Sequence, residues 1–283
     1  MRLFLLTALT MLAFAANSVL NRWAVGPGHI GAVEFAMVRL LAGALILAVL
    51  VWWQRGGLAW PGKRGRVSGV LGLSAYLIGF SLAYRGLDAG TGALMLFGTV
   101  QVTMFAGALL SRELVPGRRW LGAAMALAGL ALIAAPGTAG PVPLALMAVA
   151  GLGWGIYSLA GRGATDPLAA TAWNFVLSVP LVLPLGLMSG VAAPDAVGVA
   201  LAVVSGAVTS GLGYALWYRV LPQLGAARAA VAQLSVPVIA ALGGAVLLAE
   251  LPVPRFWLAT VLVLGGVALA SLPYKGFTIR STK

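Results

Sequence analysis

The sequence predicts an all-α membrane protein of ten transmembrane helices, arranged as a five-plus-five inverted repeat with both termini cytoplasmic. Three observations predict it: an apolar composition, a one-sided distribution of cations between alternate connections, and an internal repeat whose unit holds an odd number of spans. In a chain of 283 residues, 61% of the side chains are hydrophobic and 8% are charged, with a mean hydropathy of +1.02. A soluble domain carries about 25% charge. An apolar helix crosses the hydrocarbon in about 20 residues, so ten crossings take about 200 and leave the rest for short connections. Soluble enzymes, disulfide-stapled modules and disordered tails are excluded. With no cysteine there is no disulfide framework, thiolate nucleophile or Cys-based metal site.

Apolar runs bounded by Gly, Pro and charge place the spans at 3–21, 32–53, 67–84, 91–111, 119–136, 142–160, 168–189, 196–218, 228–249 and 255–273. In span one, Met1, Arg2 and the run through Ala13-Phe14-Ala15 imitate a secretory signal with an A-x-A site. A later span resembles this segment, so it is expected to be retained. Span two carries Arg39 well inside its apolar run, and span nine carries Pro237, an expected bend. No connection is long enough for a soluble domain.

The 18 Lys and Arg against 6 Asp and Glu give a formal charge of +12. In a soluble protein that balance would point to nucleic acid; here it reads as topology, with the bilayer as the partner and no nucleic acid. A cytoplasmic N-terminus collects Arg2, Arg55, Lys63, Arg64, Arg66, Arg112, Arg118, Arg119, Arg162, Arg219, Arg228, Lys275, Arg280 and Lys283 inside. Only Arg22, Arg85 and Arg255 fall outside, and Arg39 lies within a span. Basic residues concentrate on the cytoplasmic edge, so both termini are expected on the cytoplasmic side of the cell inner (plasma) membrane.

Sliding the chain on itself by 137 positions aligns Gly107, Glu113, Leu114, Trp120, Leu121, Gly129, Ala131, Leu132 and Pro136 with Gly244, Glu250, Leu251, Trp257, Leu258, Gly266, Ala268, Leu269 and Pro273. An offset of 134 matches Leu82-Ala83-Tyr84-Arg85 with Leu216-Trp217-Tyr218-Arg219, and an offset of 140 matches Ser18 and Arg22 with Ser158 and Arg162. The chain is read as a duplication of 1–137 in 138–283. Five spans per unit force equivalent helices to cross in opposite directions. Two copies related by a twofold axis in the membrane plane are an architecture of secondary transporters, whose sites lie at the midplane between the repeats.

The run from Leu110 to Pro136, with Glu113 and Trp120-Leu121-Gly122, and its second copy from Glu250 to Pro273, is similar to the paired pattern of EamA-type proteins of the drug/metabolite transporter superfamily. Met37 through Gly43 and Gly153-Trp154-Gly155 also resemble that pattern, and the resemblance covers essentially the whole chain. It implies a ten-helix secondary transporter that exports small metabolites through a central cavity. Among its branches the preferred resemblance is to YddG-type exporters of aromatic and other neutral amino acids. Phe14-Ala15 stands where Trp-Gly is common, and Val100 where the second copy has Pro237.

A cavity for a partly apolar solute needs aromatic walls and a few hydrogen-bonding groups. The expected substrate-binding residues are Asn17, Met37, Arg39, Tyr76, Phe80, Thr99, Gln101, Trp154, Tyr157, Trp173, Ser210 and Tyr214, with Asn174 beside them. The offset of 134 pairs Tyr76 with Ser210 and Phe80 with Tyr214 across the expected axis. A guanidinium inside a span is costly in hydrocarbon, so Arg39 is expected either to be held by structural hydrogen bonds or to meet a carboxylate. Glu34, five residues away, does not share its helix face. Each remaining candidate has packing as its alternative, and Trp52, Trp53, Tyr84, Trp217 and Tyr218 read as an interfacial aromatic belt.

No cofactor, metal, catalytic residue or ATPase subunit is implied. Gly62-Lys63 lacks the spacing of a phosphate-cradling loop, and Gly151-Leu152-Gly153-Trp154-Gly155 reads as helix packing. His29 is expected to be a solvated loop residue without an acid to orient it. Glu113 and Glu250 are read as caps of the helices that follow them. With no acid deep in a span, the expected mode is facilitated passage, with coupling through Glu34 as a lesser alternative. The rival functions are export of drugs, nucleobases or nucleosides, a pore or sensor, and a membrane-embedded enzyme, which would want clustered carboxylates where these six are scattered.

Overall fold

The computed structural model describes residues 1–63, 65–112, 115–135, 139–162, 164–189 and 193–271, the side chains of 225–230 excepted. Every regular element among them is helical: α1 (Arg2–Val25), α2 (Ala32–Arg55), α3 (Arg66–Ala83), α4 (Ala89–Leu110), α5 (Gly117–Ala134), α6 (Pro141–Ala160), α7 (Pro167–Met188), α8 (Ala196–Val204), a π-helical segment (Ser205–Leu212), α9 (Gly213–Gln233), α10 (Ser235–Leu248) and α11 (Pro254–Ser271). Among the described residues nine helical runs are long and apolar enough to cross a membrane, with 196–224 counted as one. Helix α5 is not among the nine, and its first turn holds Arg118 and Arg119.

Two boundaries differ from expectation. The connection expected near 219–227 is helical: α9 continues through Pro222 and Gly225 to Gln233. Where a bend is expected at Pro237, the helix is interrupted at Leu234, between α9 and α10. Proline has no N–H to give the carbonyl four residues back, and its ring crowds that carbonyl, here Gln233, so α9 ends there and Pro237 sits in the first turn of α10.

Small residues set how closely the helices approach. A Cβ on Gly153 would lie 2.6 Å from the Gly72 carbonyl oxygen, so α6 meets α3 backbone to backbone. Gly151 and Gly155, one turn apart, receive Thr99 and Thr103 of α4. The alternating glycines of α6 thus seat it between two neighbours, and Trp154 projects from between them.

Helix α5 packs along α11, with Gly122 against Gly266 and Gly129 against Ala259. Helix α2 packs along α7: Met37 meets Gly186 near one end, and Arg55 reaches Asp166 at 3.0 Å at the other.

Candidate functional site

The centre of the bundle is built around Arg39, whose side chain is wholly buried. Its Nε donates to Ser210 Oγ at 3.0 Å and its Nη2 to the Tyr76 hydroxyl at 2.8 Å. The guanidinium carbon lies 5.2 Å from the Tyr76 ring centre and 5.1 Å from that of Phe80, within cation–π range. Its remaining terminal nitrogen, Nη1, is buried and has no hydrogen-bond partner among the described residues. Arg39 therefore bridges Tyr76 and Ser210, two residues the offset of 134 makes equivalent.

The π-helical segment supplies the rest of the polar core. Ser205 Oγ, Thr209 Oγ1 and Ser210 Oγ donate to Asn17 Oδ1 at 2.8, 2.5 and 3.4 Å. A chain of hydrogen bonds thus runs from α2 through the π segment to α1. The wider turn is accommodated where Gly206 lies against the Arg39 carbonyl and Gly211 against Ile46. π-Helical turns recur at functional positions, and the run Ser205-Gly206-Ala207-Val208-Thr209-Ser210-Gly211, small and hydroxylated within an apolar span, was the available signal in the sequence.

A cavity of about 20 Å³, the room of roughly one water molecule, opens beside this cluster, lined by Phe14, Asn17, Ser18, Tyr76, Phe80, Leu96, Phe97, Trp154 and Tyr214. Trp154 is its central wall, with ring centres 4.9 Å from Tyr76, 5.1 Å from Tyr214 and 5.2 Å from Tyr157. Phe14 closes against Tyr214 edge to face at 5.7 Å. Ligand pockets for small molecules run to several hundred Å³, so this cavity is smaller than such a ligand.

Of the residues expected at the site, the structure brings Asn17, Arg39, Tyr76, Phe80, Trp154, Ser210 and Tyr214 into one cluster. Tyr157 stacks behind Trp154 and shares a hydrogen bond of 2.9 Å with Thr171. Thr99 packs against Gly151, and Met37 packs against Gly186 of α7. Gln101 is half-buried on α4 and does not line the cavity. Trp173 lies elsewhere, donating its indole N–H to the Ala59 carbonyl at 3.0 Å with its ring 5.0 Å from Trp60. Asn174 accepts from Arg66 at 2.5 Å. Sequence reasoning missed Phe14, Ser18, Leu96 and Phe97 of the wall, and Ser205 and Thr209 of the polar core.

The helix ends carry the ionic contacts. Glu250 accepts from Arg22 Nε at 2.5 Å with one oxygen and from the Ala89 N–H, at the first turn of α4, at 2.8 Å with the other. It was expected to cap the helix after it; instead it caps α4, because the α10–α11 connection lies over that positive helix end. Glu113 lies outside the described residues. Arg22 also donates to the Tyr84 carbonyl at 3.0 Å and reaches Asp88 at 4.0 Å. Tyr84, expected in an interfacial belt, is fully buried, with its hydroxyl on the Ala89 carbonyl at 3.3 Å.

His29 does have an acid: its Nδ1 is 2.7 Å from Asp195, which the chain brings across from the α7–α8 connection to cap α8 through the Gly198 N–H at 2.8 Å. That N–H, first, and His29, second, hold the Asp195 carboxyl below the usual carboxylate range. Ser189 donates to the Glu34 carboxylate near the start of α2.

Apolar helices packed around a polar, aromatic-walled centre define a multi-pass membrane protein. The chain matches the EamA-like transporter family over residues 1–135 and again over 142–272, and it belongs to that family. It is therefore a membrane transporter of the drug/metabolite transporter superfamily. It is 49% identical, over 99% of its length and 98% of the relative's, to an uncharacterized protein of Pseudomonas aeruginosa. It is 28% identical to an uncharacterized transporter of Archaeoglobus fulgidus, covering 94% of this chain and 96% of that one. A solved crystal structure superposes with a TM-score of 0.64 at 18% identity, covering 93% of this chain and 96% of the other, a likeness of fold.

Proposed function

We propose that the protein is a ten-span secondary transporter of the inner membrane that exports small neutral or amphipathic metabolites, amino acids including aromatic ones foremost, by alternating access between inverted halves 1–137 and 138–283. In this reading α5 is a span, α8 through the first part of α9 form one span, and both termini are cytoplasmic. Neither a cofactor nor an ATPase is needed. The observation that carries it is the central cluster, whose cavity draws Phe14, Asn17, Tyr76 and Phe80 from one half and Trp154 and Tyr214 from the other. Binding residues at the seam of two repeats let one site face either side.

The packing supports the inversion. Gly122 and Ala259 are repeat equivalents, as are Gly129 and Gly266; the contacts observed are Gly122 with Gly266 and Gly129 with Ala259. Each contact is the other's image under a twofold operation, the pattern of a self-complementary interface. The order of the contacts makes α5 and α11 antiparallel, as inversion requires of equivalent helices. Other pairings recur half for half: α4 on α6 with α10 on α1, and α3 on α7 with the π segment on α2.

The test is counterflow in proteoliposomes with labelled amino acids, nucleosides and cationic drugs, with and without a pH gradient. Amino-acid exchange insensitive to the gradient is expected, and Trp154→Ala or Tyr214→Ala should change that flux while leaving expression intact. Unchanged flux across the panel would remove those residues from the site, and flux of nucleosides or drugs alone would reassign the substrate.

A further inference from the structure

Resting on the reading of the central cluster as the substrate site, we infer that Arg39 is a carboxylate anchor: the site recognises an organic monocarboxylate with an apolar body, and an amine on the same molecule adds no affinity. A guanidinium keeps its charge at any accessible pH. Arg39 is wholly buried, and among the described residues the groups on it are neutral: the hydroxyls of Ser210 and Tyr76, two aromatic rings, and the Tyr214 hydroxyl nearby. These orient the charge without cancelling it, and Nη1 keeps an unused donor.

The chain has six acids, and the five within the described residues are engaged elsewhere. Glu34 is held by Ser189, Glu250 by Arg22 with Asp88 alongside, Asp166 by Arg55, and Asp195 by His29. The sixth, Glu113, lies outside the described residues. An uncompensated buried cation is destabilising unless an anion arrives, and a planar guanidinium matches a carboxylate in shape as well as charge.

Beside the charge lies the apolar half of the site. Tyr76 and Phe80, the rings under the guanidinium, are walls of the cavity that Trp154 and Tyr214 complete. A carboxylate on Arg39 would leave an aromatic or branched body against those rings. Among the described residues no carboxylate lines that cavity to receive an ammonium group. An amino acid would therefore be recognised through its acid end and its side chain.

The experiment uses the full-length protein and three probes that share a phenyl body: 3-phenylpropionate, phenylalanine and phenethylamine. Each competes for counterflow in proteoliposomes, and each is added to detergent-solubilised protein to measure the rise in unfolding temperature on binding. The two carboxylates should compete comparably and stabilise the protein, and phenethylamine should bind about tenfold or more weakly, the worth of a charged hydrogen bond. Arg39→Gln should erase that preference. Arg39→Lys, which keeps the charge but loses the fork, should retain the preference with weaker binding, and it serves if the glutamine variant does not fold.

Phenethylamine matching 3-phenylpropionate, or a carboxylate preference that survives Arg39→Gln, overturns the anchor. So does flux of nucleosides or cationic drugs with no binding of either carboxylate, which leaves the carrier reading standing. Absence of flux for every probe overturns the carrier reading itself.

Discussion

Arg22 and Arg39 are both drawn into the bundle from apolar helices, yet their surroundings are opposite in kind. Arg22 meets Glu250 at 2.5 Å and Asp88 at 4.0 Å, so its charge is cancelled by the protein. Among the described residues, Arg39 meets hydroxyls and ring faces. Arg66, at the start of α3, follows the second pattern in part, donating to the Ala170 carbonyl at 2.8 Å and to Asn174 while lying over Trp60. A cation cancelled internally joins helices; one left uncancelled keeps a field that a ligand can use. The contrast is one of pairing: Glu250 ties Arg22 of α1 to the first turn of α4, whereas Arg39 holds its charge among neutral groups.

The largest effect should come from breaking the cancelled pair. Glu250→Gln removes the charge opposite Arg22 and weakens the cap on α4, so a loss of about 2 kcal/mol is expected for a pair this buried, since removing one partner of a fully buried pair costs more. Exchanging the charges, Arg22→Glu with Glu250→Arg, should recover only part of it, because an arginine at 250 cannot accept from the Ala89 N–H. Thermal unfolding of the two single variants and the double variant measures the difference. Full recovery would show that the cap contributes nothing, and no loss in Glu250→Gln would remove the contrast with Arg39.

A smaller effect is expected at the neutral cluster. Tyr76→Phe deletes the acceptor of one guanidinium N–H and leaves that donor buried, which costs about 1–2 kcal/mol. Ser210→Ala should cost more than Tyr76→Phe, because Ser210 also donates onward to Asn17. Unfolding midpoints rank the pair. Equal losses would show that the Ser210–Asn17 contact, the longest of the three at Asn17, carries no weight.

The parts of this arrangement that were legible in the sequence share one property: they are set by local composition. Helical runs follow from apolar stretches, and Arg39 and Asn17 stood out because polar groups in such stretches need partners. The pairing of Tyr76 with Ser210 was visible through the repeat. What was not legible depends on distant encounters. His29 and Asp195 are separated by 166 positions, Arg22 and Glu250 by 228, and nothing local indicates that they meet. Phe14, Leu96 and Phe97 were missed because a helix apolar on all sides carries little facial asymmetry. Trp173 looked like a cavity wall from its depth in the span, but its N–H had to find an acceptor, and the Ala59 carbonyl supplied one.

The smallest effect distinguishes exposed from buried pairing. Asp195 is half-exposed, and its carboxyl is held below the usual range by the Gly198 N–H and by His29. A depressed carboxyl contributes stability that is present above its unfolded value and is lost as pH falls through its folded value. The window is therefore below about pH 4, the ordinary aspartate range. Asp195→Asn keeps a side-chain oxygen for the cap but has no charge to titrate, so its unfolding midpoint should fall less steeply than that of the unaltered protein as the solution is acidified through that window. Because the group faces water, raising the salt should shrink the part that comes from His29 and spare the part that comes from the Gly198 N–H. Identical acid limbs for the two proteins would mean that Asp195 caps α8 equally well with or without its charge.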